Sequence, residues 1–151
     1  MNNDSVKQIW EDFKEVYPDT PEEFQTWAFG DSKEDADELV TLVLEGTKTA
    51  TSSSYSLYEN NETLPYVGFH NIILDGTGRA VAIIGTTSIE IVPFDEVTEE
   101  HAYLEGERDR SLNHWRAVHK IFFTKGLNGI NQDFDHKMLV VCERFKLIFR
   151  N

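Results

Sequence analysis

Gly46-Thr47-Lys48-Thr49-Ala50-Thr51-Ser52-Ser53-Ser54 sets one amine among hydroxyl side chains, with no acidic residue in the stretch. The whole chain carries 27 acidic residues against 14 lysines and arginines. A lysine inside an acid-free run that lasts from Gly46 to Tyr58 therefore stands out. A threonine hydroxyl is a weak nucleophile until a base takes its proton. A lysine whose pKa is lowered by burial can be that base. The spacing adds a geometric condition. On a regular strand, residues i and i+3 face opposite sides. Lys48 and Thr51 can share a site only if the ladder is broken between 48 and 51. The same composition also fits a polar edge strand, with Lys48 in solvent and Thr51 packed.

A second charged stretch is Glu105-Gly106-Glu107-Arg108-Asp109-Arg110-Ser111. It reads either as a solvated ion-pair loop or as one wall of a site. It runs into a helix N-terminus, where free N–H groups favour an anion or a polarised carbonyl. Arg110 offers a bidentate contact to a polar ligand. Glu105 ends the preceding helix, so its pKa is expected to rise unless a cation such as Lys48 is close. His114 and His119 are five apart, not the i, i+4 spacing of a helical metal pair, and no His-Glu-x-x-His is present. No metal site and no cofactor are expected. Trp10, Trp27 and Trp115 fall on apolar faces; Trp27 or Tyr55, each beside a break, could stack on a base. Phosphate-binding glycine loops and nucleophile elbows are absent from the sequence.

The elements that must position these residues follow from periodicity. Ile9, Trp10, Phe13, Val16 and Tyr17 predict a helix over 5–17, ended by Pro18. Thr20, Pro21 and Glu23 suggest a capped short helix to about Ala28. Ser32 caps a stronger helix with Ala36, Leu39, Val40, Val43 and Leu44 on one face, and Gly46 stands where it should stop. Residues 47–54 read as extended, and 55–65 as a loop or a turn of helix. Strands are expected over 67–74 and 79–92, joined by Asp75-Gly76-Thr77-Gly78 into a hairpin, with a bulge or bend at Gly85. Thr98 and Ser111 cap helices over 98–105 and 112–125, the second ended by Gly126. Residues 137–149 form a last strand. Few long strands interrupted by helices, without a βαβ rhythm, predict an α+β fold: a curved or barrel-like, mainly antiparallel sheet with helices packed on it.

The bulk properties restrict function. At 151 residues the chain fits one domain that buries about two-thirds of its unfolded surface. The polar, acidic N-terminus does not read as a signal peptide, and no apolar run reaches the ~20 residues of a membrane span. The single Cys142 excludes an intrachain disulfide and fits a reducing cytoplasm. The net charge is −13. Residues 1–45 hold thirteen acids and three bases, and the remainder fourteen acids and eleven bases. Such a field repels polyanions. A DNA duplex or a membrane surface is disfavoured; a nucleoside-like small molecule or a short RNA end held in a pocket is not. Composition leaves the oligomeric state open.

Four stretches in order then resemble the ASCH (activating-signal-cointegrator homology) family of PUA-like β-barrels. They are Trp27-x-Phe29-Gly30-Asp31, Gly46-x-Lys48-Thr49-Ala50-Thr51, Thr98-x-x-His101-Ala102-x-x-Glu105-Gly106-Glu107 and Ser111-Leu112-x-x-Trp115-Arg116-x-x-His119. The resemblance implies a small barrel over 24–151, with 1–23 an added N-terminal helical region packed into the same unit. Some small bacterial members are metal-independent amidohydrolases that deacetylate N4-acetylcytidine with a threonine, a lysine and a glutamate. On this sequence those fall on Thr51, Lys48 and Glu105. Trp27, Ser52, Ser53, Tyr55, Glu107, Arg110 and Ser111 would then contact the substrate. Other relatives are proposed to bind or cleave RNA. A polymer binder would need a basic rim built from Arg108, Arg110, Arg116, Lys120 and Lys125. This chain departs from the small amidohydrolases in its N-terminal helix and in Glu107 to Arg110.

Overall fold

A computed structural model describes residues 3–59 and 64–151. Its elements run α1 (Asp4–Val16), β1 (Phe24–Trp27), α2 (Lys33–Leu44), β2 (Ala50–Ser54), β3 (His70–Leu74), β4 (Ala80–Pro93), α3 (Glu99–Glu105), α4 (Leu112–Asn128) and β5 (Leu139–Arg150). The α+β class expected from the sequence is the one observed. The sheet order is β1-β3-β4-β5-β2. All pairs are antiparallel except β1 with β3. The ladder is not closed: β1 and β2 are its two edges, so the expected barrel is an open, bent sheet.

Four helices stand where side-chain caps put them. Asn3 accepts from the N–H groups of Ser5 and Val6, and Ser32 from that of Asp35. Thr98 and Ser111 accept from the N–H groups of His101 and His114. The reading of a helix between Thr20 and Ala28 is incorrect. Thr20 Oγ1 donates to Tyr17 O instead of capping, and Phe24–Trp27 pairs with His70–Ile73. Three of those four residues are strong strand formers, and the tertiary pairing overrides a weak local helix signal. Gly126 does not end α4, which continues to Asn128. Register shifts fall on either side of Gly85, as a bend there requires. Tyr55–Glu59 is a turn of 3-10 helix; residues 60–63 of the expected loop lie outside the described residues.

Three apolar clusters hold the layers. Ile9, Trp10 and Phe13 of α1 pack on Ile72, Ala80 and Ile83. Val40 and Val43 of α2 pack with Phe29 on Ile73, Ala82, Ile84 and Phe145. Trp115 and Phe123 of α4 pack with Phe94 and Ala102 on Val140 and Cys142. Side chains alternate along β5, so Val140 and Cys142 meet α3 and α4 while Val141, Glu143 and Phe145 face the other way. This alternation positions the site.

Candidate functional site

Lys48 lies in the turn between α2 and β2. Gly46, at φ 83°, ends α2, and the N–H groups of Thr47 and Lys48 both donate to Leu42 O. The ladder of β2 starts only at Ala50, so the backbone irregularity expected near Lys48 is there. It folds the lysine inward. Lys48 is 2 % exposed, Glu105 1 %. Lys48 Nζ donates to Ala50 O at 2.8 Å and to Glu105 O at 3.3 Å. It lies 3.4 Å from Glu105 Oε1 and 3.5 Å from Glu107 Oε2. Every one of these neighbours is an acceptor, the surroundings of an ammonium with three donors. The solvent-facing lysine of the edge-strand reading is ruled out.

Glu105 is engaged on both carboxylate oxygens. Its Oε2 accepts from Ser52 Oγ at 2.5 Å and from Trp115 Nε1 at 2.6 Å, with His101 Nε2 2.9 Å away. Its Oε1 faces Lys48 and, at 3.5 Å, His119 Nε2. Burial by itself pushes the Glu105 carboxyl up, but the charges of His119 and Lys48 and the hydrogen bonds from His101 and His119 outweigh it and hold the group well below the usual range. The rise expected from the helix end therefore does not occur, because the cation is close. Burial would likewise lower His119; the Glu105 carboxylate raises it above its ordinary value. The His119 ring stacks on Trp115 at 4.3 Å, and its Nδ1 lies 2.9 Å from Trp115 O. Gly106 lets the end of α3 reach the lysine turn. Its φ is 75°, and a Cβ there would stand 2.6 Å from Thr47 O.

Carboxylate oxygens of Glu105 and Glu107 and a nitrogen of His119 lie within 4.8 Å of one another, a donor set that could hold a cation. The Lys48 amine already stands against both carboxylates, so the positive charge the set calls for is the lysine's own. Cys142 offers no nucleophile: burial, with Glu105 and Glu90 nearby, pushes its thiol up to about 12.

Two cavities meet at β2. The smaller, about 270 Å³, is lined by Phe29, Lys48, Thr51, Ser52, Glu105, Glu107 and His119 among others. The larger, about 850 Å³, is lined by Trp27, Phe29, Thr51, Ser52, Ser53, Tyr58, Asn71, Lys125 and Glu143 among others. Lys48, Thr51 and Glu105 thus border one cavity, but only two of them touch. No hydrogen bond joins Thr51 to Lys48 or Glu105 among the described residues. Ser52 holds Glu105, because Ser52 pairs with Cys142 on the α3–α4 side while Thr51 pairs with Glu143 on the other. Trp27, Ser52 and Ser53 line the larger cavity and Glu107 the smaller. Tyr55 lines neither. Arg110 lies over the Tyr103 ring at 3.6 Å and donates to Tyr103 O. Ser111 is spent capping α4 and borders only a void of about 10 Å³.

Sequence reasoning gave His101 and His119 no role beyond a place in the family pattern, and it missed Asn71, Thr86 and Glu143. His101 stands four before Glu105, and Trp115 four before His119, so each pair shares a helix face. Glu143 is the one acid in step with Val141 and Phe145, which marks a buried face.

No curated protein matches this chain. Solved structures match nearly all of it. Protein EF3133 from Enterococcus faecalis V583 is 37% identical at a TM-score of 0.90, covering 96% of this chain and 88% of its own. An ASCH domain from Lactobacillus crispatus JV V101 is 27% identical at a TM-score of 0.91, covering 96% and 94%. The hypothetical protein PH0355, at 15% identity and a TM-score of 0.57 over 83% of this chain and 100% of its own, shares the fold alone. The ASCH domain profile itself matches residues 25–149, a span that holds the lysine turn, the glutamate helix and both cavities: the chain belongs to the ASCH domain family.

Proposed function

We propose that this chain is an amidohydrolase acting on an acylated nucleoside such as N4-acetylcytidine. Thr51 is the nucleophile, Lys48 the charged proton carrier, and Glu105 the group that fixes Lys48. The observation that supports this reading most is the buried Lys48–Glu105 pair bordering a cavity whose wall carries Thr51, a hydroxyl with no hydrogen bond among the described residues. In the reaction, Thr51 Oγ1 attacks the acyl carbon and the C–N bond breaks. Lys48 takes the proton that Thr51 releases as it hands one of its own to the leaving nitrogen, ending as it began. Water then cleaves the acyl-threonine ester. On this reading the Lys48 charge also stabilises the negative charge that develops on the carbonyl oxygen. Thr51 and Lys48 are not bonded in the resting site; such contacts commonly tighten only with substrate bound.

The Glu105 carboxylate, held ionised, is a poor base, which fits an orienting role. Ser52 is the competing hydroxyl. It is already a donor to Glu105, and Ser52 and Glu105 both meet the same nitrogen of His101, so no serine–histidine–acid relay forms. Hydrolysis of N4-acetylcytidine by the two alanine variants separates them. Thr51→Ala is expected to lower turnover at least about a thousandfold with an unchanged melting temperature. Ser52→Ala is expected to melt earlier and retain part of its turnover. The reverse pattern would move the attack to Ser52, and wild-type turnover in both variants would end the proposal.

A further inference from the structure

The larger cavity contains a polar chain that the hydrolysis step does not use. Trp27 Nε1 donates to Asn71 Oδ1 at 2.9 Å. Asn71 Nδ2 lies 3.4 Å from Thr86 Oγ1, and Thr86 Oγ1 donates to Glu143 Oε2 at 2.6 Å. The donors run in one direction, from β1 through β3 and β4 to a carboxyl on β5. The chain stops there. Glu143 is 6 % exposed, and its other oxygen has no hydrogen-bond partner among the described residues. No cation among the described residues pairs with it. Lys125, the one lysine or arginine lining this cavity among the described residues, is bonded to Asp31 at 3.0 Å. A buried carboxyl group left half satisfied is costly. Its placement on the cavity wall, beside Thr51 on the paired strand, makes a ligand the natural partner.

We infer that Glu143 is the recognition group of the larger cavity, binding a hydrogen-bond donor on the non-reacting part of an uncharged ligand and disfavouring an anionic one. On the reading above, that ligand is a nucleoside rather than its phosphate. Thr86 is a positioning residue: its hydroxyl fixes one Glu143 oxygen so that the other faces the cavity. Among the described residues the cavity holds one uncompensated carboxyl group and no uncompensated cation, so a phosphate seated there meets no countercharge from them.

Binding of cytidine and of cytidine 5′-monophosphate, measured by calorimetry on the whole chain, tests this without relying on turnover. Wild type is expected to prefer cytidine by about tenfold or more. Glu143→Gln should weaken cytidine roughly tenfold to a hundredfold, the loss that follows removal of a charge-assisted hydrogen bond, and should leave the monophosphate unchanged or tighter. Thr86→Val keeps the carboxyl group but frees it to turn. It should weaken cytidine severalfold while keeping the preference, and it covers the case in which Glu143→Gln does not fold. Equal affinities for the two ligands in wild type, no binding of cytidine, or unchanged discrimination in Glu143→Gln would each overturn the inference. Hydrolysis of N4-acetylcytidine by wild type alongside any of those results would leave the amidohydrolase reading standing. Glu143-dependent discrimination without hydrolysis would remove that reading and keep this one.

Discussion

At the scale of residues, the site is one carboxylate with a full set of partners. Breaking such a buried cluster costs more than any surface pair, about 3–5 kcal/mol, because a charge is left uncompensated. The two titrating members act in opposite directions with pH. The folded pKa of Glu105 is depressed, so its contribution is complete above the ordinary glutamate value of 4.5 and is lost as pH falls through the folded value. The folded pKa of His119 is raised, so its contribution is complete below 6.5 and is lost as pH rises through the folded value. Melting temperature against pH should therefore fall on both sides of a window between about 4.5 and 6.5. His119→Gln should flatten the alkaline side and leave the acid side sloping; a variant with the wild-type alkaline slope would show that His119 is not the group involved. The sequence singled out Lys48, Thr51 and Glu105 as candidates through a shared pattern, and the fold brings the first and last into contact. It did not show that Ser52 rather than Thr51 would hold Glu105, because pairing with Cys142 decides which hydroxyl faces α3.

Among the elements, the decisive contact is between the end of α3 and the turn before β2. Thr49 N donates to Leu104 O at 2.8 Å, and Gly106 passes so close to Thr47 that no side chain fits. Gly106→Ala adds both a clash and a left-handed conformation that costs alanine about 1 kcal/mol by itself. The variant should lose at least 2 kcal/mol of stability in a denaturant titration, with a larger proportional loss of turnover than of folded protein. Turnover that tracks only the folded fraction would mean the lysine turn tolerates the shift. Helix termini were readable because Ser32, Thr98 and Ser111 are caps by their own chemistry. β1 was not, because four residues carry too little periodicity and their strand state comes from β3. The open edge between β1 and β2 was equally invisible, since closure depends on the bend near Gly85 rather than on residue type.

Over the whole molecule, charge separates ligand classes. The cations that would form a basic rim are dispersed: Arg108 faces Glu38, Lys125 pairs with Asp31, Arg116 donates to Asp95 O, and Lys120 lies near the Phe134 ring. With a net charge of −13, single-stranded RNA is expected to show no salt-dependent affinity at low ionic strength. A binding isotherm that weakens steeply with added salt would contradict this. Among the described residues, no helix is long and apolar enough to cross a membrane. The amphipathic face of α1 was plain in the sequence, whereas the sheet face it covers, Ile72, Ala80 and Ile83, is fixed only by the fold.

β2 is an edge strand paired with β5 alone, yet its successive residues meet different partners. Thr51 shares a face with Glu143, and Ser52 shares one with Cys142 and reaches Glu105. A slip of one residue would exchange every side chain between faces, turning Ser52 away from Glu105 and Thr51 away from the face of Glu143. The strand thus works like a key whose teeth alternate. Inserting a single residue between Ala50 and Thr51 would leave most of the fold's contacts available while turning the lock the wrong way.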